Sequence, residues 1–205
     1  MIKIDPKKEK PLNVYKLMIG SITPRPIALV SSRSLDKVNN LAPYSFFTGV
    51  SVNPPAIGFS PLVNGDGRIR DSRLNIEDRG EFSVNVVSND IVERMNLAAE
   101  EVSPMVDEFN ISTLSPIECE KINVARVQES RISMECKLID IVVIGKGPMS
   151  GAFIIGEIVC FHISEDLFED FRIDPDRLST VGRMGGNFYC HTADTFRMGR
   201  PGARR

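Results

Sequence analysis

Residues 38–60 read VNNLAPYSFFTGVSVNPPAIGFS. Leu41, Phe46, Phe47 and Val50 give the stretch the apolar content of a buried sheet, yet Pro43, Pro54 and Pro55 interrupt it, and Ser45, Thr48 and Ser51 dot it with hydroxyls. Proline cannot donate to a β-ladder, so within sheets it belongs at strand starts, edges and bulges. The pattern predicts one strand over about 40–50 and another over about 55–60, separated by VNPP. Pro43 predicts a distorted strand that leaves backbone donors unpaired beside it. A strand end of that kind can turn main-chain groups toward a ligand rather than toward a neighbouring strand.

The flanking segments continue the β pattern. IALVSS at 27–32 is a short strand bounded by Pro26 and a polar turn, and EFSVNVVS at 81–88 alternates Phe82, Val84 and Val86 against Ser83 and Asn85. NVARVQES at 123–130, SMECKLIDIVVIG at 133–145 and GAFIIGEIVCFHI at 151–163 extend it, the last two joined by the turn KGPMS. Helical spacing of Ile91, Met95, Ala98 and Val102 predicts a helix over 91–102, with cap oxygens offered by Ser88, Asn89 and Asp90. A short helical turn is expected around MVDEF at 105–109, and another helix over 72–79 that stops at Gly80. The sum is a mainly β, α+β chain, read as a single domain over 1–205: a barrel-like antiparallel core with peripheral helices. VVIGKGPMSG imitates a dinucleotide fingerprint, but its spacing is G-x-G-x-x-x-G and a β-branched strand follows it, so a hairpin turn is the reading.

Composition narrows the function classes. The chain has 205 residues, 42% of them hydrophobic, enough for a core without staples. Its net charge of −2 lacks the basic patch that a nucleic-acid partner demands. The local exception, FRMGRPGARR with Arg197, Arg200, Arg204 and Arg205, reads as a solvated end. No stretch approaches the roughly 20 apolar residues of a membrane span, and MIKIDPKKEKPLNVYK holds no apolar run of signal-peptide length, so a soluble cytoplasmic protein with no membrane partner is expected. Cys119, Cys136, Cys160 and Cys190 form no CxxC pair and only His162 and His191 accompany them; buried reduced thiols and no metal site are the expectation.

NGDGRIRDSRLNIEDRG at 64–80 carries a different kind of chemistry. A flexible loop with Gly65 and Gly67 leads through Arg68 and Arg70 into a helix start at Asp71 and Ser72. Free N–H groups, the positive end of the helix dipole, a hydroxyl and guanidiniums are the components of a phosphate site. The competing reading has Asp71 capping the helix and the arginines solvated or paired with Glu77 and Asp78.

Five segments occur in a characteristic order: ITPRPIALVSS at 22–32, NNLAPYSFF at 39–47, VNPPAIGFS at 52–60, RDSRLNI at 70–76 and GEFSVNVV at 80–87. With VGRMGGNFYCHTADTF at 181–196, they resemble the flavin reductase-like, FMN-binding split-barrel family, particularly its flavoredoxin-like branch. The resemblance implies an antiparallel split β-barrel that forms a homodimer, with FMN held noncovalently near the subunit interface. It places Asn40, Ala42, Pro43, Tyr44, Ser45 and Phe46 beside the isoalloxazine and ribityl chain. Ser60, Arg70, Asp71 and Ser72 fall on the phosphate side, where the family commonly has Lys-Asp-Thr. Arg25, in its P-R-P, would stand near the site or serve as a structural strand entry. Arg183, Gly185, Gly186 and Tyr189 would form a flap over the flavin or part of the dimer contact.

The resemblance implies an oxidoreductase working through FMN: an NAD(P)H-dependent flavin reductase fed by NADH or NADPH, or a flavoredoxin-like protein that exchanges electrons with a redox partner protein. The alternative is a noncatalytic FMN-binding carrier or storage protein. A pyridoxal-phosphate-type oxidase is disfavoured by NNLAPYSFF and P-R-P. No side chain is assigned a catalytic role, because the redox chemistry belongs to the cofactor. His162 reads as a satisfied core or rim residue, and His191 as a candidate contact for a nicotinamide or acceptor.

Overall fold

The computed structural model describes residues 1–199 and 201–202; Arg200, Arg204 and Arg205 of the basic tail lie outside them. Seven strands form one antiparallel sheet: β1 (Ala28–Arg33), β2 (Asn39–Tyr44), β3 (Phe47–Val52), β4 (Pro55–Phe59), β5 (Glu81–Val86), β6 (Ile132–Ile144) and β7 (Gly151–Ile163). Their spatial order is β2-β1-β5-β6-β7-β4-β3. The strand expected over 40–50 is therefore two strands, broken at Ser45 and Phe46, and the halves are the two edges of the sheet. Three peptide units span at most about 11 Å, so the link from Tyr44 to Phe47 forces the edges together at that point. No ladder joins β2 to β3.

The curl gives the sheet an inside and an outside. Ala28 and Val30 of β1 join Ile57 and Phe59 of β4, Phe82 and Val84 of β5, Met134 and Cys136 of β6 and Ile154 of β7 in one buried cluster. Leu29, between Ala28 and Val30, points the other way, as strand alternation requires. It packs with Leu41, Ile91, Met95, Ala98, Phe109 and Val127 in a second cluster. Helix α1 (Pro11–Ser21) precedes the sheet, and α2 (Asp71–Arg79) packs on β1 and β2 and ends at Gly80, whose φ of 69° is the left-handed stop expected there.

Two helical expectations shorten. α3 runs only Val92–Leu97, after a single turn at Asn89–Ile91. The Asn89 side chain does not cap it; its amide donates to Ser179 Oγ at 2.6 Å instead. α4 is Glu108–Ser112, shifted past 105–109 because Asp107 Oδ1 accepts the Phe109 N–H and sets the start. Of 123–130 only Ala125–Val127 is strand, paired with Pro116–Glu118. β6 and β7 do form a hairpin through the glycine turn, with Ile144 opposite Gly151. Gly145 and Gly147 there adopt φ near 80°, so they serve the turn rather than a dinucleotide.

A line of aromatic rings runs from the core to the β2 edge: Phe82 lies 5.5 Å from Phe59, and Phe59 5.1 Å from Tyr44. Gly156 of β7 makes room for it, because a Cβ there would fall inside the Phe82 ring. Phe82 is fully buried and cannot yield, whereas Phe153, which a Cβ at Gly58 would meet, is partly exposed and can. Gly156→Ala should therefore lower stability by about 1–3 kcal/mol and Gly58→Ala by less. Urea unfolding of the two variants checks this, and equal midpoints would show that the Phe82 ring has freedom to move.

Candidate functional site

β2 pairs with β1 on one side only. Leu41 turns its N–H outward, to Glu108 Oε2 at 3.0 Å. By the alternation of an antiparallel strand, position 43 turns the same way. Pro43 thus removes a donor from the free edge and none from the ladder, where it lies opposite Leu29. The expectation of unpaired donors is corrected by this geometry: one outward donor is spent on Glu108 and the next is missing, so the free edge of β2 presents carbonyl acceptors.

A cleft of about 260 Å³ lies against this edge. Asn40, Ala42, Pro43, Tyr44, Ser45 and Phe46 form one wall, with Ser60 and Leu62 beside them. Arg68, Arg70, Asp71 and Ser72, at the start of α2, form a second wall, and Ala98–Val102 with Glu108 close it. Two stretches about 30 residues apart in sequence, 40–46 and 70–72, thus line one site. Ten of the thirteen residues expected to touch a cofactor line it; Arg25, Arg183 and Tyr189 do not.

Arg25 sits behind the cleft at 4% exposure. Its guanidinium donates to Ile19 O (2.7 Å), Ile22 O, Met184 O (2.9 Å) and Ser45 Oγ (3.2 Å). Four of its five N–H groups are so consumed, and its main chain bridges to Arg183. It is a structural tie between α1, the Ser45 turn and the C-terminal hairpin, and it is not an exposed strand entry. That hairpin, Val181–Arg183 with Tyr189–His191, lines a second cavity of about 770 Å³ with Asn96 and Leu97 of α3. There the Arg183 guanidinium lies 4.4 Å from the Tyr189 ring centre, and His191 Nδ1 contacts Asn89 Oδ1 at 2.8 Å. The two cavities share no lining residue.

Below the first cleft runs a buried polar chain. Tyr44 donates its hydroxyl proton to Ser72 Oγ (3.0 Å), Ser72 to Asn40 Oδ1 (2.6 Å), and Asn40 Nδ2 to Glu108 Oε1 (2.9 Å). Ser32, itself bonded by Asn75, also donates to Asn40 Oδ1. Glu108 was missed in the sequence because 105–109 read only as a turn; an acid at the start of a five-residue helix gives no local sign of a partner 67 residues away. Burial raises the Glu108 carboxyl above the usual range. The Leu41 N–H and Asn40 amide oppose that shift, and Asp71 adds to it. Burial likewise pushes Tyr44 up to about 12, so it stays a neutral hydroxyl.

Neither reading of the arginines holds as stated. Asp71 makes no cap, since the N-cap position is Arg70 and carries no side-chain bond. Arg70 pairs with Glu101 (3.0 Å), an acid the sequence did not bring to mind, and Arg73 pairs with Glu77 (2.7 Å). Of the cysteines only Cys136 is fully buried. Among the described residues, Glu135, Cys160 and His162 gather potential metal ligands. Their geometry is a hydrogen-bonded clasp: Glu135 takes the N–H groups of Glu120 and Lys121 and meets His162 Nε2 at 2.5 Å, too close for two ligands of one ion at about 2 Å bond lengths.

Comparisons with known proteins agree with this layout. Residues 19–179 match the flavin reductase like domain family. A nitrilotriacetate monooxygenase component B from Bacillus cereus superposes with a TM-score of 0.92 at 35% identity, over 97% of this chain and 98% of that one. The 2-nitrobenzoate 2-nitroreductase of Pseudomonas fluorescens superposes at 0.88 and 30% identity, over 100% and 98%. Flavoredoxin of Desulfovibrio vulgaris, 20% identical, shares the fold with a TM-score of 0.74 over 88% and 93%.

Replacing Arg25 with lysine keeps the charge but loses the planar fork. The buried carbonyls of Ile19, Ile22 and Met184 cannot all be served by one ammonium, and the expected cost is about 3 kcal/mol. A fall in the urea midpoint of Arg25→Lys checks it; an unchanged midpoint would return the guanidinium to a ligand role.

Proposed function

The chain belongs to the flavin reductase-like family, and from that premise we propose that it is an oxidoreductase that binds FMN noncovalently in the cleft beside β2. The observation that carries the reading is the convergence of the 40–46 edge, Ser60 and the Arg70–Ser72 helix start on one cleft. A sheet whose edges meet without pairing suits the split β-barrel expected of this family.

The lining fits the group end by end. Pro43, Phe46 and Leu62 offer apolar contact to a flat ring, and the outward carbonyls of β2 would accept from a ring N–H. The first N–H groups of α2 have no intrahelical partner, and with Arg68 and Arg70 they would take the phosphate. Ser72 would not: its proton is committed to Asn40. When bound, the flavin supplies hydride and electron transfer. The protein's part is to position the ring, exclude water from its edge and hold the phosphate.

On this reading NADH or NADPH is the electron donor, and a redox partner protein is the alternative source or recipient. Cytoplasmic residence belongs to the same proposal: the four thiols are free, which suits a reducing compartment, and no helix among the described residues is long and apolar enough to cross a membrane. The purified protein should bind FMN with altered flavin absorbance bands, which bleach anaerobically on addition of NADH or NADPH. Bands that wait for a chemical reductant would favour a carrier fed by another protein, and absence of FMN binding would remove the function. Arg70→Ala should weaken FMN about tenfold or more, the worth of one charge-assisted bond, and riboflavin little. Equal weakening of both ligands would remove Arg70 from the phosphate.

A homodimer completes the proposal. β5 pairs with β6 only as far as Lys137. Beyond it the outer edge of β6 has no strand partner among the described residues and exposes Ile139, Val142, Val143 and Ile144. An exposed apolar edge of this kind invites pairing with a second chain, and the flavin would lie near that contact. Val143→Lys should shift the sedimentation of the protein from dimer to monomer and release flavin. A monomer that keeps full affinity would place the site within one chain.

A further inference from the structure

We infer that the cleft takes up a proton together with its phosphate-bearing ligand, that Glu108 is the residue that receives it, and that the proton reverses the hydrogen-bond chain so that Tyr44 turns its O–H toward the ligand. The inference rests on the FMN reading above and concerns the same site.

The first ground is donor polarity. An ionised carboxylate accepts only. Glu108, 5% exposed, takes the Leu41 N–H on Oε2, so Asn40 must turn its NH2 toward Oε1. That leaves Asn40 Oδ1 facing Ser72 and Ser32, and it forces Ser72 to donate inward and Tyr44 to donate to Ser72. Every mobile proton of the chain then points away from the cleft, which is the wrong polarity for an anion. A protonated Glu108 can instead donate to Asn40 Oδ1. The Asn40 NH2 then serves Ser72 and Ser32, Ser72 donates to Tyr44, and the Tyr44 O–H is released. Only the Asn40 amide and two hydroxyls need to turn.

The second ground is charge. Asp71, Glu100, Glu101 and Glu108 line the cleft against Arg68 and Arg70, a formal −2 before any ligand arrives. Facing Glu108 are Asp71 and Arg70 from α2, Tyr44 and the Asn40 amide from β2, Glu100 and Glu101 from the segment after α3, Arg68 from the loop before α2, and Asp107 preceding it in the chain. Arg70 is already engaged by Glu101. A phosphate placed among these groups favours the neutral form of the nearest buried acid. Burial holds Glu108 above the usual carboxylate range before binding, so of the four acids it is the one poised to accept.

Calorimetric titration with FMN across pH 5–9, in buffers of different ionisation enthalpy, counts the protons taken up. The wild type should take up more than Glu108→Gln, by up to about one proton per flavin, and its FMN affinity should fall relative to that variant by up to about tenfold per pH unit above the Glu108 pKa. Riboflavin, which lacks the phosphate, should show a smaller difference. Equal uptake by wild type and variant across the range overturns the inference, as does equal uptake with riboflavin. Should Glu108→Gln fail to fold, the infrared difference spectrum of the wild type on FMN binding decides it: a new protonated-carboxyl band supports the inference, and its absence where uptake is measured overturns it. Failure to bind FMN at all is a different result, and defeats the function rather than the linkage.

Discussion

The structure depends on one constraint: β2 and β3 are consecutive in the chain and lie at opposite edges of the same seven-stranded sheet. Two residues, Ser45 and Phe46, must carry the chain from one edge to the other, so the sheet has to curl until its edges meet. The turn is held from behind. Arg25 grips Ser45 together with three carbonyls from α1, its exit and the C-terminal hairpin, and Ser60 returns its N–H to Phe46 O at 2.8 Å. A buried guanidinium is costly unless its donors are met, and here they are met by the segments that need tying down. Because the edges meet without pairing, the outward groups of β2 stay available, and the cleft forms there.

The same edge explains the polar interior beneath it. Asn40, Ala42 and Tyr44 share one face of β2, and the side chains of Asn40 and Tyr44 meet Ser72 of α2, while Leu41 enters the outer apolar cluster. Glu108 closes the end of the chain by taking a main-chain donor from β2. Each member has a partner, so the network fixes α2 and α4 on β2 without leaving an orphan among its own atoms. What it leaves adjustable is direction, since a chain of hydroxyls and an amide can run either way without moving a heavy atom far.

The long, strongly patterned strands were legible: β1, β5, β6 and β7 fall within about a residue of where alternation and turn chemistry put them. The break at Ser45 and Phe46 was not, because both halves of 39–52 are β-like and nothing local says that one pairs with β1 and the other with β4. The same limit hid Glu108 and the Arg70–Glu101 pair, whose partners lie 68 and 31 residues away and leave no periodicity. α3 was overread because Ala98 keeps its buried position after the helix has ended. The cleft-lining residues came from ordered segments resembling a family, and P-R-P came with them; the structure separates Arg25, which organises the site, from those that line it.

That separation bears on what the fold can select. Pro43, Phe46 and the β2 carbonyls present a flat, acceptor-edged wall suited to many planar ligands. Discrimination among such ligands has to come from the other wall, where two arginines and a helix start stand among four carboxylates. A phosphate gains there only if some of that negative charge is removed or turned away. Arg70 must leave Glu101 to engage an anion, and the exchange of one carboxylate partner for another returns little net energy when both pairs are partly solvated. Neutralising Glu108 acts on a buried group, where charge is least screened, so the larger share of phosphate selectivity falls to the acid at the bottom of the chain rather than to the arginine at its mouth.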